Sequence, residues 1–182
     1  MKKNAKPGSA EDFEFFVTTG DNLYPSLPED PTEEEIQRMM DLFLTRKQIK
    51  DIPIYPVRGN HDCYFKDNDE EVKMSQKYPT WKMPSNYYEK QFEIGPNGEK
   101  FSLLQVDSCY LLCETVSKNP NKYLHLLDLH SQEIYLSKCE GDTPYVKHGN
   151  DMMKWIDKVT QYDPKVLWKA SSMHHPMFGL HY

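Results

Sequence analysis

The chain has 182 residues, of which 38% are hydrophobic, and a formal net charge of -6. This length suits one domain with a buried core, so we treat 1–182 as a single domain rather than two. Basic residues are interspersed among acidic ones, which excludes an extended basic face, and we expect no nucleic-acid partner. No apolar run approaches the ~20 residues that cross a bilayer, so we expect no membrane segment. The basic start is not followed by the apolar core of a secretory signal.

The cysteines are few and widely spaced: Cys63, Cys109, Cys113 and Cys139. They are too few for a disulfide framework, and Cys109 and Cys113 lack the second close pair of a structural zinc site. We expect most of them to be reduced or buried thiols. One disulfide in an oxidising compartment is the alternative.

The first part of the chain predicts a strand, a helix and a second strand. Residues 13–19 are aromatic and β-branched, and they run into Gly20, which predicts a strand followed by a loop. Thr32 and Glu35 form a capping box, where a helix is expected to begin. Its apolar face is predicted to contain Ile36, Met39, Met40, Phe43 and Leu44. With the apolar run 52–57 as a second strand, this is a βαβ unit, expected to be parallel and right-handed.

The middle of the chain predicts a helix start and a hairpin. The acidic run at 67–71 is typical of the first turn of a solvated helix and is a poorer match to a calcium loop. Residues 87–94 and 101–106 alternate or run apolar on either side of a turn, which predicts a β-hairpin.

The last third predicts one helix and one strand. Residues 118–140 have no clear period and are interpreted as loop with some helix. Residues 151–161 place Met152, Trp155 and Ile156 on one side of an amphipathic helix. The apolar run 166–170 predicts a strand that leads into two consecutive histidines.

Polar side chains follow three of the predicted strands and predict a metal centre. They are Asp21 and Asn22, Asn60 and His61, and His174 and His175. We expect them at one edge of one sheet, where α/β proteins place their chemistry. Carboxylate, amide and imidazole ligands suit zinc, iron, manganese or magnesium better than a thiolate site would. Such a centre lowers the pKa of a bound water to about 7, which makes hydroxide available as a nucleophile.

These motifs resemble those of the calcineurin-like metallophosphoesterases. The matching sequences are Gly-Asp-Asn at 20–22, Gly-Asn-His-Asp at 59–62 and His-His-Pro at 174–176. A tyrosine three residues after this aspartate, here Tyr24 after Asp21, resembles the arrangement in the purple acid phosphatases, in particular the small tartrate-resistant type. The similarity covers most of the chain from Phe13 onward. It implies an α/β (α+β) fold, a four-layer αββα sandwich with mixed sheets.

The resemblance also implies an activity and its cofactor. The family's acid phosphatases hydrolyse phosphate monoesters with a hydroxide activated at a dinuclear centre of Fe(III) plus Fe(II), Zn or Mn. The expected substrate is a small phosphate monoester or a phosphoprotein. Tyr24 argues against a phosphodiesterase, and the absence of Gly-Asp-x-x-Asp-Arg at Gly20 argues against a protein phosphatase. By family analogy the expected location is secreted or lysosomal.

By resemblance, Asp21 bridges two metals, Tyr24 ligates the ferric ion, and Asn60 and His174 ligate the divalent ion. His61 is left to contact the phosphate and to protonate or stabilise the leaving alkoxide. Histidine suits this general-acid role because it titrates near neutrality.

Four further residues are expected to support these ligands or to face the substrate: Asn22, Asp62, His175 and His181. Asp62 is predicted to orient His61, as carboxylates often do for imidazoles. His175 is expected to lie behind His174, and His181 to correspond to a substrate-side histidine.

Two motifs of the family are not found in this sequence. An Asp-x-Gly motif normally ends the first strand, and a Gly-His-x-His motif gives one histidine to each metal; neither occurs among the 182 residues. We therefore expect an internal part of the domain, incomplete at both ends, whose activity is weak or absent. The alternative is a non-catalytic metal- or partner-binding remnant of a phosphoesterase domain.

Overall fold

The computed structural model describes residues 14–24, 32–47, 49–64, 69–118, 132 and 135–175. The strands are β1 (Phe16–Val17), β2 (Ile54–Tyr55), β3 (Tyr88–Glu93), β4 (Lys100–Gln105) and β5 (Val166–Ser172). The α-helices are α1 (Glu33–Leu44), α2 (Glu70–Lys77), α3 (Ser108–Lys118) and α4 (Pro144–Val159). A 3-10 helix at Asp62–Tyr64 and a π-helix at Tyr135–Cys139 complete the described elements.

The strands form two sheets, which confirms a mixed α/β fold. β1 and β2 are parallel, with Phe16 opposite Ile54, and α1 connects them as the predicted βαβ unit requires. β3 and β4 form the predicted antiparallel hairpin, and β5 pairs in parallel with β4. The expectation that all three polar loops follow strands of one sheet is wrong, because β1 and β2 lie in a different sheet from β5.

The capping box at the start of α1 is confirmed, but its predicted apolar face is only partly buried. The Thr32 hydroxyl accepts from the Glu35 backbone, and the Thr32 backbone N–H donates to the Glu35 carboxylate at 2.8 Å. The buried residues are spaced by four: Ile36, Met40 and Leu44. Phe43 is 46% exposed, contrary to the prediction, because it is turned about 100° away from Leu44 around the helix axis.

Two helical segments were not predicted. α3 follows Asp107, whose carboxylate accepts from the N–H groups of Cys109 and Tyr110 at 2.9 and 3.2 Å, a capping arrangement. α4 begins at Pro144 rather than Asp151, behind Thr143, whose hydroxyl accepts from the Val146 N–H. Both starts carry ordinary sequence signals, an N-cap acid and an N-cap threonine followed by proline.

Other predicted elements keep their positions. α2 begins within the acidic run, at Glu70, and β5 extends two residues beyond the predicted strand. The described part of 118–140 includes the π-helix, and most of that stretch lies outside the described residues. No helix within the described part of the chain is long and apolar enough to cross a membrane.

The cysteines form two disulfides, so the expectation of reduced thiols is wrong. Cys63 bonds to Cys109, and Cys113 bonds to Cys139. All four cysteines are buried in the hydrophobic cluster around α3 and α4. The partners are 46 and 26 residues apart in sequence, so only the tertiary fold brings them together.

Candidate metal centre

The candidate site forms where the loop after β1 touches the loop after β2. Gly20 and Asp21 both have positive φ, 94° and 53°, so the backbone turns sharply after the strand. Gly59 lies against this turn: a side-chain carbon there would be 2.2 Å from the Asp21 backbone nitrogen and 2.3 Å from its Oδ1. Any side chain at 59 would push the two loops apart. The glycine therefore permits the close approach that delivers Asp21 and Asn60 to one place.

Three side chains from three separate loops bring atoms that can serve as metal ligands close to one another. Nε2 of His174 lies 2.8 Å from Oδ1 of Asn60 and 3.5 Å from Oδ1 of Asp21. The side chains of His174 and Asp21 are 23% and 21% exposed, so the cluster is partly open to solvent. The structure thus brings together the carboxylate, amide and imidazole that the sequence predicted to share a centre.

The protonation of His174 makes this cluster rich in acceptors. Its Nδ1 lies 2.8 Å from the Thr19 carbonyl oxygen, which can only accept a hydrogen bond. In the neutral imidazole Nδ1 therefore carries the proton, and Nε2 presents a lone pair toward Asn60 and Asp21. Three acceptor atoms facing one another are stabilised by a cation between them.

The donor set fits a metal ion in its spacing as well as its chemistry. Ligand bonds of about 2.0–2.2 Å to one ion leave neighbouring ligand atoms about 2.8–3.6 Å apart, from octahedral to tetrahedral geometry. The separations of 2.8 and 3.5 Å lie within that range. The Nδ1 contact to a backbone carbonyl is the usual support for a ligating histidine.

Tyr24 and His61 lie together beside Asp21. The Tyr24 hydroxyl donates to Oδ2 of Asp21 at 3.3 Å, and the Tyr24 ring is 4.6 Å from the His61 ring, centre to centre. The His61 backbone N–H donates to the other Asp21 oxygen at 3.2 Å. Tyr24 is 58% exposed, so this pair forms the solvent side of the cluster. The Asp21 carboxylate raises the pKa of the Tyr24 phenol because a second negative charge beside it is unfavourable.

Asp62 supports the loops and not the His61 ring, which corrects the predicted role. Its Oδ2 accepts from the backbone N–H groups of Gly59 and Asn22 at 2.7 and 3.1 Å, and its Oδ1 accepts from that of Leu23 at 2.8 Å. Asp62 is 1% exposed and ties the Asp21 loop to the Asn60 loop. Burial raises its pKa to about 6, although the three amides favour the ionised form.

Asn22 is also a supporting residue, and it leads to a buried acid that the sequence reasoning missed. The Asn22 amide donates to the Val57 carbonyl at 2.8 Å and to Oε1 of Glu71 at 2.9 Å. Glu71 is 2% exposed, and its Oε2 has no hydrogen-bond partner within the described structure. Burial, and then the nearby Asp62 charge, raise the pKa of Glu71 well above its ordinary value. Asp62 accepts more hydrogen bonds, so Glu71 holds the proton of this pair.

Replacing Glu71 with glutamine is expected to remove a pH-dependent loss of stability. Because the folded-state pKa of Glu71 is raised, its contribution to stability is complete below 4.5, its ordinary value, and is lost as the pH rises through the folded-state pKa. Glutamine stays neutral at every pH. Between pH 4.5 and the folded-state pKa of Glu71, the unfolding free energy of E71Q should rise relative to that of the native chain by up to about 1.4 kcal/mol per pH unit. Above the folded-state pKa the difference should stay constant.

Urea unfolding of the metal-free chain at several pH values measures this difference. Glu33→Gln is the control, since Glu33 is fully exposed in its ion pair with Lys77 and its pKa is lowered, so its pH dependence has the opposite sign. A constant difference between E71Q and the native chain across the range would show that Glu71 ionises normally in the folded protein.

Two further histidines, His175 and His181, were predicted to support the site, and the structure describes the first of them. His175 turns away from the cluster: its Nδ1 lies 2.8 Å from the Ser108 hydroxyl, and its backbone N–H donates to the same oxygen at 3.1 Å. Its ring meets the His174 ring edge to face at 5.1 Å. His181 lies outside the described residues.

A buried ion pair beneath the centre was also missed. Arg58 and Asp107 are 1% and 0% exposed, and the guanidinium donates through Nε and an NH2 group to one oxygen of the Asp107 carboxylate. Arg58 also lies over the ring of Tyr110 at 4.9 Å. Burial opposes the charge of Arg58, but the attraction of Asp107 outweighs it and raises the pKa of the guanidinium. In the sequence, this ion pair is signalled by a charged residue, Arg58, that directly follows an apolar run and precedes Gly59.

Comparison with known proteins agrees with this geometry. Residues 2–182 match the calcineurin-like phosphoesterase family, and the chain belongs to that family. Its members are phosphoester hydrolases, and they generally bind dinuclear metal centres.

Within the family the chain is similar to tartrate-resistant acid phosphatase type 5. It is 24% identical to the protein of Rattus norvegicus over 129 residues, which are 69% of this chain and 39% of the relative. It is 22% identical to those of Sus scrofa and Homo sapiens over 128 and 127 residues, which are 37% of each relative. The chain thus spans about two fifths of the length of these relatives.

Proposed function

We propose that this chain belongs to a metal-dependent phosphoesterase of the acid phosphatase type, which hydrolyses phosphate monoesters at a dinuclear metal centre. One observation supports this most directly: Asp21, Asn60 and His174 bring three acceptor atoms together, with Tyr24 and His61 on the solvent side. A partly exposed cluster of metal-ligand atoms with a histidine on its solvent side suits a phosphate ester. The substrate is a small phosphate monoester or the phosphorylated side chain of a protein.

The residues have distinct proposed roles. A centre of Fe(III) with Fe(II), Zn or Mn would be held by Asp21 and Tyr24 on the iron and by Asp21, Asn60 and His174 on the divalent ion. When bound, this centre supplies positive charge and an activated water for attack at phosphorus. His61 contacts the phosphate and gives a proton to the leaving oxygen. Its position beside the Tyr24 ring and the backbone contact to Asp21 hold it at the solvent side of the cluster.

These 182 residues are proposed to bind metal weakly and to turn over substrate slowly. None of its residues supplies the Asp-x-Gly or Gly-His-x-His ligands of the family, so each metal has fewer ligands here than in a complete centre. Two buried disulfides suit an oxidising compartment, which supports a secreted or lysosomal setting for the protein.

Hydrolysis of p-nitrophenyl phosphate together with metal analysis tests the proposal. The native chain, loaded with iron and zinc, should show slow turnover, and His61→Asn should lower it by about 100-fold or more with the metal content unchanged. A non-catalytic metal-binding domain would keep its metal and show equal background rates in both proteins. Robust turnover by the native chain with two bound metals would contradict the proposed weakness.

A further inference from the structure

The start of α3 contacts both flanks of the loop that carries Asn60. The contacts come from Asp107 and Cys109, and we name these two residues, together with Ser108 between them, the α3 clamp. Asp107 pairs with Arg58, one residue before Gly59. Cys109 is bonded to Cys63, one residue after Asp62, and its sulfur also lies 3.6 Å from the Gly59 carbonyl oxygen. The loop 59–62 is therefore fixed at its entry by an ion pair and at its exit by a disulfide.

The middle residue of the clamp contacts the loop that carries His174. The Ser108 hydroxyl oxygen accepts from the His175 backbone N–H at 3.1 Å and lies 2.8 Å from Nδ1 of the same residue. His175 directly follows His174, so this contact fixes the chain next to the imidazole. Clamp residues are at most 2% exposed, which keeps water from competing for these contacts.

The clamp thus connects the two loops whose proposed ligand atoms must lie close together to bind one metal ion. Asn60 Oδ1 and His174 Nε2 are 2.8 Å apart although they come from segments 114 residues apart in sequence. The Asn60 loop begins with a glycine, which gives it conformational freedom that must be lost when a ligand is positioned. Holding a site in its binding geometry lowers that cost and raises affinity.

We propose that the α3 clamp positions Asn60 and His174 for metal binding, and that the affinity of the centre depends on the Cys63–Cys109 disulfide. This inference rests on the proposed function, in which the cluster is the metal site. The clamp residues act through the loops they hold and need not touch the metal.

The second disulfide provides a matched control. Cys113 also lies on α3, and its partner Cys139 ends the π-helix, so neither cysteine belongs to a loop that carries a proposed ligand. Both disulfides are buried, and they join residues 46 and 26 positions apart. Because the chain-entropy contribution of a disulfide grows only with the logarithm of loop length, removing either one costs similar stability.

The experiment compares two double variants, Cys63→Ala with Cys109→Ala, and Cys113→Ala with Cys139→Ala. Zn²⁺ is titrated against a competing chelator, and hydrogen exchange is followed at the amides of 59–63 in the metal-free proteins. The first variant should bind Zn²⁺ about tenfold more weakly or worse, whereas the second keeps native affinity. Exchange at 59–63 should accelerate in the first variant alone. Ser108→Ala, with both disulfides intact, should also weaken Zn²⁺ binding.

Equal Zn²⁺ affinity in the two double variants overturns the proposal, as does native exchange at 59–63 in the first. If the first variant does not fold, Ser108→Ala decides, and native Zn²⁺ affinity in that variant overturns the proposal. A native chain that binds no Zn²⁺ refutes the metal centre of the proposed function. Exchange at 59–63 still tests the clamp in that case, since it is measured without metal.

Discussion

Replacing Asp21 with asparagine should lower the affinity of the chain for Zn²⁺ or Mn²⁺ by about 100-fold or more, beyond the effect typical of residues that only support a ligand. Asp21 is the carboxylate among the three converging side chains, and both of its oxygens face the other site residues. Asparagine keeps an oxygen that can accept from the His61 backbone and tolerates the positive φ of this position. The change therefore removes the negative charge and keeps the conformation of the loop.

Isothermal titration with Zn²⁺ and circular dichroism of the metal-free protein measure the two parts of this prediction. Asp157→Asn is the control, because Asp157 lies exposed on α4 and away from the three site loops. Thermal unfolding of the metal-free D21N chain should be close to that of the native chain. Native Zn²⁺ affinity in D21N would show that the cluster is not the metal site.

Replacing Asp107 with asparagine should destabilise the chain by about 3–5 kcal/mol, the usual cost of breaking a buried ion pair from one side. The change deprives the buried Arg58 guanidinium of the Asp107 charge. Asparagine still offers Oδ1 to the N–H groups of Cys109 and Tyr110, so the cap of α3 remains and the electrostatic effect is isolated.

Urea unfolding at neutral pH measures this loss. Asp151→Asn is the matched control, since Asp151 pairs with Lys154 on the exposed side of α4, where solvent screening leaves an ion pair little effect on stability. A loss in D107N no larger than that of D151N would mean that Arg58 is stabilised by other contacts. Because Asp107 belongs to the α3 clamp, the folded D107N chain should also bind Zn²⁺ more weakly than D151N.

Local patterns predicted most of the elements and three of the side chains that the structure brings together, Asp21, Asn60 and His174. The capping box of Thr32 and Glu35, the hairpin and the strand before His174 depend on neighbours in sequence, and each is present. α3 and the first turns of α4 were not predicted although Asp107 and Thr143 cap them, because these two helix starts are marked by caps and not by apolar periodicity. Phe43 shows the limit of periodicity, which gives a helix face but not how far the neighbouring elements cover it.

What the sequence determined by itself is the set of polar groups at the candidate centre, because residue types and short motifs fix which atoms could serve as ligands. Only the tertiary structure decided how those atoms are held. Several of the contacts that hold them join residues that are 26 to 67 positions apart in sequence. These contacts are the two disulfides, the Arg58–Asp107 ion pair, the Asn22–Glu71 hydrogen bond and the contact between Ser108 and His175. Such contacts depend on the path of the whole chain, and no local pattern records that path.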